Sequence, residues 1–407
     1  MNYLSTRMAS LILAFGIFFA VSCTVFESTE APQEVSQLQQ LSEQINRINL
    51  VLEENPDNQE LKIQKAKLLK EYASQLSNPS DRFPIYQNLY ALSMDGNPNG
   101  SSEISEITEI LVNIWTEEQS SGIRLLQMDR NSNDNQHFYE ILAHFDNSIA
   151  LQPDSLVTYS LMSTTFYEND SISNAIEALE SAVNRSQEPE PKLLEKLAYL
   201  YLETGNTDES ITIYENLVSN HSNDNSLLHG LINAYMISQR HNEAIDQLML
   251  LSEEYPTRYY YQEELATQLY FLFAGKTDEI FQEVEAGDPI GEKIDELLEI
   301  SNEAHTIYES LRTTIPANEE SLFRMGSFYK NSVIKFSSIH SAVTLSSEHD
   351  SQIQSTIQNY RDHSIKLWEL LTEMNPYNME YVYTLYNLYI DAGMSEEADS
   401  IERTYNF

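Results

Sequence analysis

Between Leu156 and Pro256 one pattern of large and small residues is written three times. Phe166, Tyr201 and Tyr235 recur at intervals of 35 and 34, and so do Ala175, Ser210 and Ala244, and Ala182, Leu217 and Leu251. A fixed period of this length marks a repeat architecture. Each copy carries two apolar stripes at helical spacing, such as Tyr159, Met162, Phe166 and then Ala175, Leu179, Ala182, separated by the polar turn Asn169, Asp170, Ser171. That spacing predicts a helical hairpin, with the small residue of the second helix letting the two axes approach and the aromatic of the first filling the space beside it. A lone hairpin cannot bury both faces, so the copies must stack.

The second copy reads Leu194, Leu197, Ala198, Tyr201, Gly205, Ser210, Tyr214, Leu217, and the third Leu228, Leu231, Ile232, Tyr235, Ala244, Leu248, Leu251, Pro256. These residues resemble the tetratricopeptide repeat family. Ile232 stands where the family places a small residue. The resemblance implies an all-α, right-handed α-solenoid of stacked antiparallel helical hairpins, a TPR-like superhelix, that binds partners in its concave groove.

Outward from 156–256 the pattern thins. In 35–155, Ile48, Val51 and Pro56 end a first unit, followed by helices Glu60–Leu76, Phe83–Met94, Ser102–Met128 with Trp115, and His137–Leu151 with Phe145. In 257–407, helix Tyr259–Phe273 precedes an acidic, Gly-containing insertion near 274–289. The pattern returns at Ala304, Tyr308, Leu311 and Pro316, continues through Leu322, Gly326 and Tyr329, is lengthened near 333–362, and closes with Trp368, Leu371, Pro376, Val382, Leu385, Tyr389, Gly393 and Ala398.

The first 22 residues read as an address. Arg7 flanks the apolar run Met8–Val21, too short to span a bilayer as a mature helix. The single cysteine, Cys23, follows Ala20, Val21 and Ser22. This resembles the bacterial lipobox, with Ala20 where leucine is usual, and implies a signal peptide over 1–22, acylation of Cys23 and a flexible tether over 23–34. Ordinary signal-peptidase cleavage at the same bond is the other reading. Thr24 after the cysteine favours the outer membrane, in a periplasmic or surface-facing orientation, with membrane contact through the lipid only.

The chain holds 63 acidic and 23 basic residues, a formal charge of −40. Such a surface repels nucleic-acid phosphates and anionic headgroups, so nucleic acid is not an expected partner. Because the acids are spread along the chain, adaptation to saline surroundings accounts for them as readily as attraction of a basic partner.

No cysteine pair, zincin arrangement, P-loop, dinucleotide fingerprint or Gly-x-Ser-x-Gly elbow is present, so the sequence names no catalytic residue, and neither an enzyme nor a cofactor is expected. His349–Asp350 and Asp362–His363 fall in a polar connection and at a helix start, where solvated or capping roles suffice. Asp129, Asn131, Asn133, Asn135, His137 and Glu140 have the spacing of an EF-hand-like calcium loop, although Asp134 takes the glycine position. A polar turn between helices explains the same residues.

The resemblance places the partner-binding groove on the first helix of each hairpin, one step off the core stripe: Tyr167, Glu195, Tyr199, His229, Asn233, Met236, Tyr260, Glu263 and Tyr270. Stacking contacts between units are the competing role for the tyrosines. The Lys/Asn carboxylate clamp of some relatives is not matched. The sequence thus supports a lipid-anchored scaffold or adaptor of the bacterial envelope that binds a protein or peptide. A glycan-binding outer-membrane lipoprotein resembling SusD is the alternative, with Trp115 and Trp368 as the available tryptophans, and a helical-barrel glycoside hydrolase is a third reading.

Overall fold

A computed structural model describes residues 32–94, 102–132, 135–221, 224–286, 290–314 and 318–406. The address segment, Cys23 and nearly all of the tether lie outside the described residues. Seventeen α-helices follow one another, and no strand occurs among the described residues. They are α1 (Pro32–Glu54), α2 (Gln59–Ser74), α3 (Phe83–Met94), α4 (Ser102–Ser132), α5 (Phe138–Leu151), α6 (Leu156–Tyr167), α7 (Ile172–Arg185), α8 (Pro191–Glu203) and α9 (Thr207–Asn220). Then come α10 (Asn225–Ile237), α11 (His241–Glu254), α12 (Tyr259–Ala286), α13 (Gly291–Thr314), α14 (Glu319–Ala342), α15 (Ser347–Met374), α16 (Met379–Asp391) and α17 (Ser395–Tyr405). The chain divides into two compact units, Met1–Thr165 and Phe166–Phe407.

Two kinds of turn, each dictated by local chemistry, set the hairpins. Within four hairpins, an aromatic in the last turn of the first helix has a carbonyl that accepts the amide five residues on: Ser171 to Phe166, Asn206 to Tyr201, Arg240 to Tyr235 and Met394 to Tyr389, at 2.8–2.9 Å. The residue before each donor has positive φ: Asp170 at 55°, Gly205 at 78°, Gln239 at 60° and Gly393 at 73°. This is the Schellman stop, which favours glycine because a Cβ crowds the left-handed backbone. Between hairpins, Asn55, Gln152, Tyr255 and Asn375 each cap the preceding helix and then accept the amide three residues on. Pro56, Pro153, Pro256 and Pro376 sit second in these turns, where a fixed φ near −65° is already correct and no N–H is needed.

In the second unit helices from α7 to α13 and from α14 to α17 each pack on the next, and α8 on α10, α12 on α14 and α13 on α15 pack as next-but-one neighbours. Ala175, Ala182, Ala198, Ala244, Ala266 and Ala304 are fully buried, as close approach of helix axes requires. A polar tie repeats with the hairpins: Tyr201 donates to Glu180 at 2.5 Å, Tyr235 to Glu215 at 2.8 Å and Tyr389 to Glu369 at 2.7 Å. Each links a first helix to the second helix of the hairpin before. Burial, reinforced by the carboxylate, pushes the Tyr235 phenol up to about 12.

Segment 274–289 differs from its expected character as an insertion between helices. Helix α12 continues unbroken through Ala286, with Phe273, Thr277 and Ile280 buried along its inner side. The physical reason is that their spacing of four and three keeps one stripe turned inward, where Phe273 meets Phe336 of α14 at 5.0 Å, and Gly275 sits off that stripe with no neighbour to meet. Segment 333–362 is carried as added length on both α14 and α15. His349–Asp350 lies in the first turn of α15, and Asp362–His363 lies well inside that helix, not at its start.

Two glycines in helices give a matched prediction. A Cβ on Gly230 would overlap the Tyr214 ring, which is buried, whereas one on Gly275 would meet nothing within 4 Å. Gly275→Ala should stabilise by up to about 1 kcal/mol through helix preference. Gly230→Ala gains the same preference but adds overpacking of about 1–3 kcal/mol, so it should fall below Gly275→Ala by that amount in urea melts. Equal melts for the two variants would refute the tight α9–α10 crossing.

His305 is half-buried and Nδ1 lies 2.8 Å from the Tyr329 hydroxyl, with Tyr360 and His363 rings at 5.4 and 5.2 Å. Glu309, held bidentate by Arg312, also lies 3.2 Å from His363 Nδ1. Burial, then the nearby His363, holds the His305 pKa below the ordinary imidazole value, partly opposed by Glu309. A base with a lowered folded pKa binds its proton more readily unfolded, so stability should fall as pH drops below about 6.5, by at most about 1.4 kcal/mol per pH unit. His305→Phe should flatten that limb of the pH–stability curve between about 6.5 and 5. Glu309 titrates in a lower window: burial opposes its charge, but Arg312 and His363 hold its pKa below the usual carboxylate range. Its stabilisation is therefore lost at more acid pH, which separates the two groups.

Candidate partner-binding face

The first helices of successive hairpins in the second unit are α8, α10, α12, α14 and α16, preceded by the last residues of α6. Their shared register is visible in side-chain pairs 32 residues apart. The Tyr167 and Tyr199 hydroxyls lie 3.3 Å apart with rings edge-on at 6.3 Å. His229 Nε2 lies 2.8 Å from the Tyr261 hydroxyl. Both pairs follow from the repeat length, which returns the chain to the same height on the next first helix.

Four of the nine expected groove residues are exposed: Tyr167, Tyr199, Asn233 and Tyr260. Tyr167 and Tyr199 stand side by side, and hydrogen bonding with Tyr167, then donation to the Glu203 carboxylate, raise the Tyr199 pKa. Tyr260 is 58 % exposed and edge-on to Tyr261. Glu195 is half-buried, and its charge raises the Tyr214 pKa beyond the effect of burial. The other four are engaged internally. His229 pairs with Tyr261, Met236 packs against the core, Glu263 accepts from the Ser321 hydroxyl, and Tyr270 stacks edge-on to Phe328 at 6.0 Å. Tyr270 thus takes the stacking role weighed against the groove.

Sequence spacing missed two members of this surface. Tyr383 on α16 is 46 % exposed, and Phe271 on α12 is 46 % exposed and stacked on His241 at 5.7 Å. Tyr383 belongs to the last hairpin, beyond the stretch with the clearest period. Neither tryptophan supplies a sugar platform: Trp368 is buried, and Trp115 packs against the core of the first unit.

The residues of calcium-loop spacing do not form a loop. Helix α4 runs on through Ser132, so Asp129 and Asn131 are helical, and Asn133 lies outside the described residues. Asp129 turns to the start of α5, accepting the His137 amide at 3.1 Å with His137 Nδ1 at 2.6 Å. Asn135 precedes α5 and Glu140 is exposed in its first turn. Among the described residues no three His, Cys, Asp or Glu side chains are grouped to hold a metal ion.

The first unit holds a buried polar cluster that the sequence did not announce. Glu118 Oε1 accepts from Tyr86 at 2.9 Å and Arg82 at 3.1 Å, and Oε2 accepts from His144 Nδ1 at 2.6 Å and Asn147 at 3.2 Å. Asn147 also donates to the Pro79 carbonyl at 2.9 Å, and Arg82 to that of Leu76 at 2.7 Å. Burial alone would raise the Glu118 pKa, but its hydrogen bonds, His144 and Asn147 foremost, hold it below the usual carboxylate range. With every donor directed inward, the cluster joins the Pro79–Arg82 turn to α3, α4 and α5, a structural role.

Residues 193–224 match the tetratricopeptide repeat family model, a stretch covering nearly all of α8 and α9. No curated protein matches the chain. Among solved structures, it is similar to Pseudomonas aeruginosa pilF at 11% identity, over 67% of this chain and 96% of that one, with TM-score 0.37. It is also similar to a tetratricopeptide repeat protein from Parabacteroides merdae, at 10% identity, 78% and 99% coverage and TM-score 0.33. A third is YrrB, described as a TPR protein with an unusual peptide-binding site, at 15% identity, 49% and 93% coverage and TM-score 0.34.

Proposed function

We propose that this chain is a lipid-anchored adaptor of the bacterial envelope that holds a protein or peptide segment on the first-helix face of its second unit. The observation that carries the reading is the set of exposed tyrosines on the first helices α6, α8 and α12, with Tyr167 and Tyr199 in register and Tyr260 two hairpins further on. Tyrosine offers apolar area and a hydroxyl with few torsions to freeze, which suits recognition of an extended backbone or an amphipathic helix. Anchoring rests on the sequence around Cys23, and the lipid would concentrate the protein near membrane partners. No helix among the described residues is long and apolar enough to cross a membrane.

A photo-crosslinking residue placed at Tyr199 or Tyr260 in cells, with Leu250 on α11 as an exposed control, tests the reading. A defined envelope protein should be captured from the first-helix positions and not from Leu250. Tyr167→Ala with Tyr199→Ala should cut capture at least about tenfold without unfolding the chain. Cys23→Ala should release the protein from the membrane fraction. Equal capture from Leu250 would remove the face from consideration, and membrane retention of Cys23→Ala would remove the lipid.

A further inference from the structure

Helix length creates a notch at the last hairpin of the second unit. Helices α14 and α16 start level, since the Tyr381 hydroxyl donates to Glu319 at 2.9 Å. However, α14 has 24 residues and α15 has 28, against 13 for α16. At about 1.5 Å per residue, α14 overruns the end of α16 by roughly 16 Å. Against that step lies a cavity of about 240 Å³, lined by Lys330 and Ile334 of α14, Arg361 of α15, and Asn387 and Asp391 of α16 among others.

The cations in it are out of keeping with the rest of the chain. With 63 acidic residues against 23 basic, carboxylates are abundant, and Lys276, Lys335, Arg312 and Arg324 each hold one at 2.6–2.9 Å. The Arg361 side chain is half-buried and has no hydrogen bond or ion pair with any described residue. Lys330 lies over the Trp368 ring at 5.2 Å and has no carboxylate partner among the described residues. Two cations without carboxylate partners therefore share one walled cavity, with Asp391 as its only lining carboxylate.

We propose that this notch receives a single carboxylate side chain presented by an otherwise neutral peptide. Lys330 and Arg361 less Asp391 leave one net positive charge, which one carboxylate neutralises. A more highly charged ligand would be repelled by the chain's overall charge of −40. The guanidinium fork matches a carboxylate in the plane, Lys330 adds a point charge, and Asn387 can pair with peptide amides while Ile334 covers aliphatic carbons. This assignment rests on the reading of the second unit as a peptide binder and names the chemistry of one contact.

The test uses the full chain with Trp115→Phe, leaving Trp368 as the sole tryptophan. It is titrated with acetyl-Ala-Leu-Glu-Leu-Ala-amide, the Glu-to-Gln peptide, a phosphoserine peptide and inorganic phosphate, followed by Trp368 emission and calorimetry. The Glu peptide should bind and change Trp368 emission as Lys330 leaves the indole. The Gln peptide should bind at least about tenfold more weakly, as should the Glu peptide to Arg361→Gln or Lys330→Gln, while Asp391→Asn tightens it. Equal binding of Glu and Gln peptides overturns the carboxylate notch while leaving the peptide-binding reading intact. Phosphate or phosphopeptide matching the Glu peptide makes this a generic oxyanion site and also overturns the proposal. Binding of none of the probes overturns it too, and the crosslinking experiment then judges the groove separately.

Discussion

Glu118→Ala should destabilise the first unit by about 3–5 kcal/mol, the cost of removing one side of a buried, hydrogen-bonded charge cluster. The substitution leaves Arg82, Tyr86, His144 and Asn147 aimed at an empty position, and Glu118 itself is only 3 % exposed, so water cannot readily replace it. Glu118→Gln keeps the shape but turns an amide N–H₂ towards two donors, and a loss of about 1–3 kcal/mol is expected. Urea unfolding followed by Trp115 emission in a Trp368→Phe background reports on the correct unit. The pH dependence gives a second readout. Glu118 has a lowered folded pKa, so its contribution is present above the unfolded value of about 4.3 and is lost as pH falls through the folded pKa. The gap between wild type and Glu118→Gln should therefore close in acid. A loss near 1 kcal/mol for Glu118→Ala, with no acid closure, would mean that the cluster does not hold the unit together.

The contrast between the two units explains what the sequence made legible. The shorter hairpins repeat the same local demands: an aromatic before the Schellman turn of α6–α7, α8–α9, α10–α11 and α16–α17, an alanine or serine where axes cross, and a proline in the turns after α11 and α15. These are short-range requirements, readable from residue type and period. The tyrosine–glutamate ties were within reach of the same reading, since Glu180, Glu215 and Glu369 each precede their tyrosine by 20 or 21 residues, but so many carboxylates are present that the spacing did not stand out. The Glu118 cluster was not readable in this way. Its members come from positions 79, 82, 86, 118, 144 and 147, joined by no period, and one glutamate among 63 acidic residues carries no local sign of burial. The groove was legible as a helix face but not residue by residue. Tyr167 and Tyr270 both sit one step off the core stripe, and the ring of Phe328, distant in sequence, packs on Tyr270 along with Phe271 and Phe273. The notch was beyond reach because it depends on a difference in length between helices that lie far apart in sequence.

Trp368→Ala should cost about 3–5 kcal/mol in the second unit, because the ring is the joint at which three helices meet. Phe323 of α14 and Tyr381 of α16 pack edge-on to it at 5.6 and 5.7 Å, and Gly326 leaves it room: a Cβ there would stand 3.0 Å from the indole nitrogen. Removing the indole empties a site whose walls belong to rigid helices, so collapse can recover little of the loss. The nitrogen supplies a control. Trp368 Nε1 is buried without a hydrogen-bond partner in the structure, so the ring's stabilisation comes from packing and not from its polar atom. Trp368→Phe retains part of that packing and discards an unpaired donor worth about 1–3 kcal/mol of desolvation, so it should lie much nearer wild type than Trp368→Ala. Far-UV circular dichroism in urea, with hydrogen exchange resolving α14 to α16, would measure both variants. If Trp368→Phe were as damaging as Trp368→Ala, the indole nitrogen would have to be engaged in solution, and the joint would owe its stability to a bond instead of to shape.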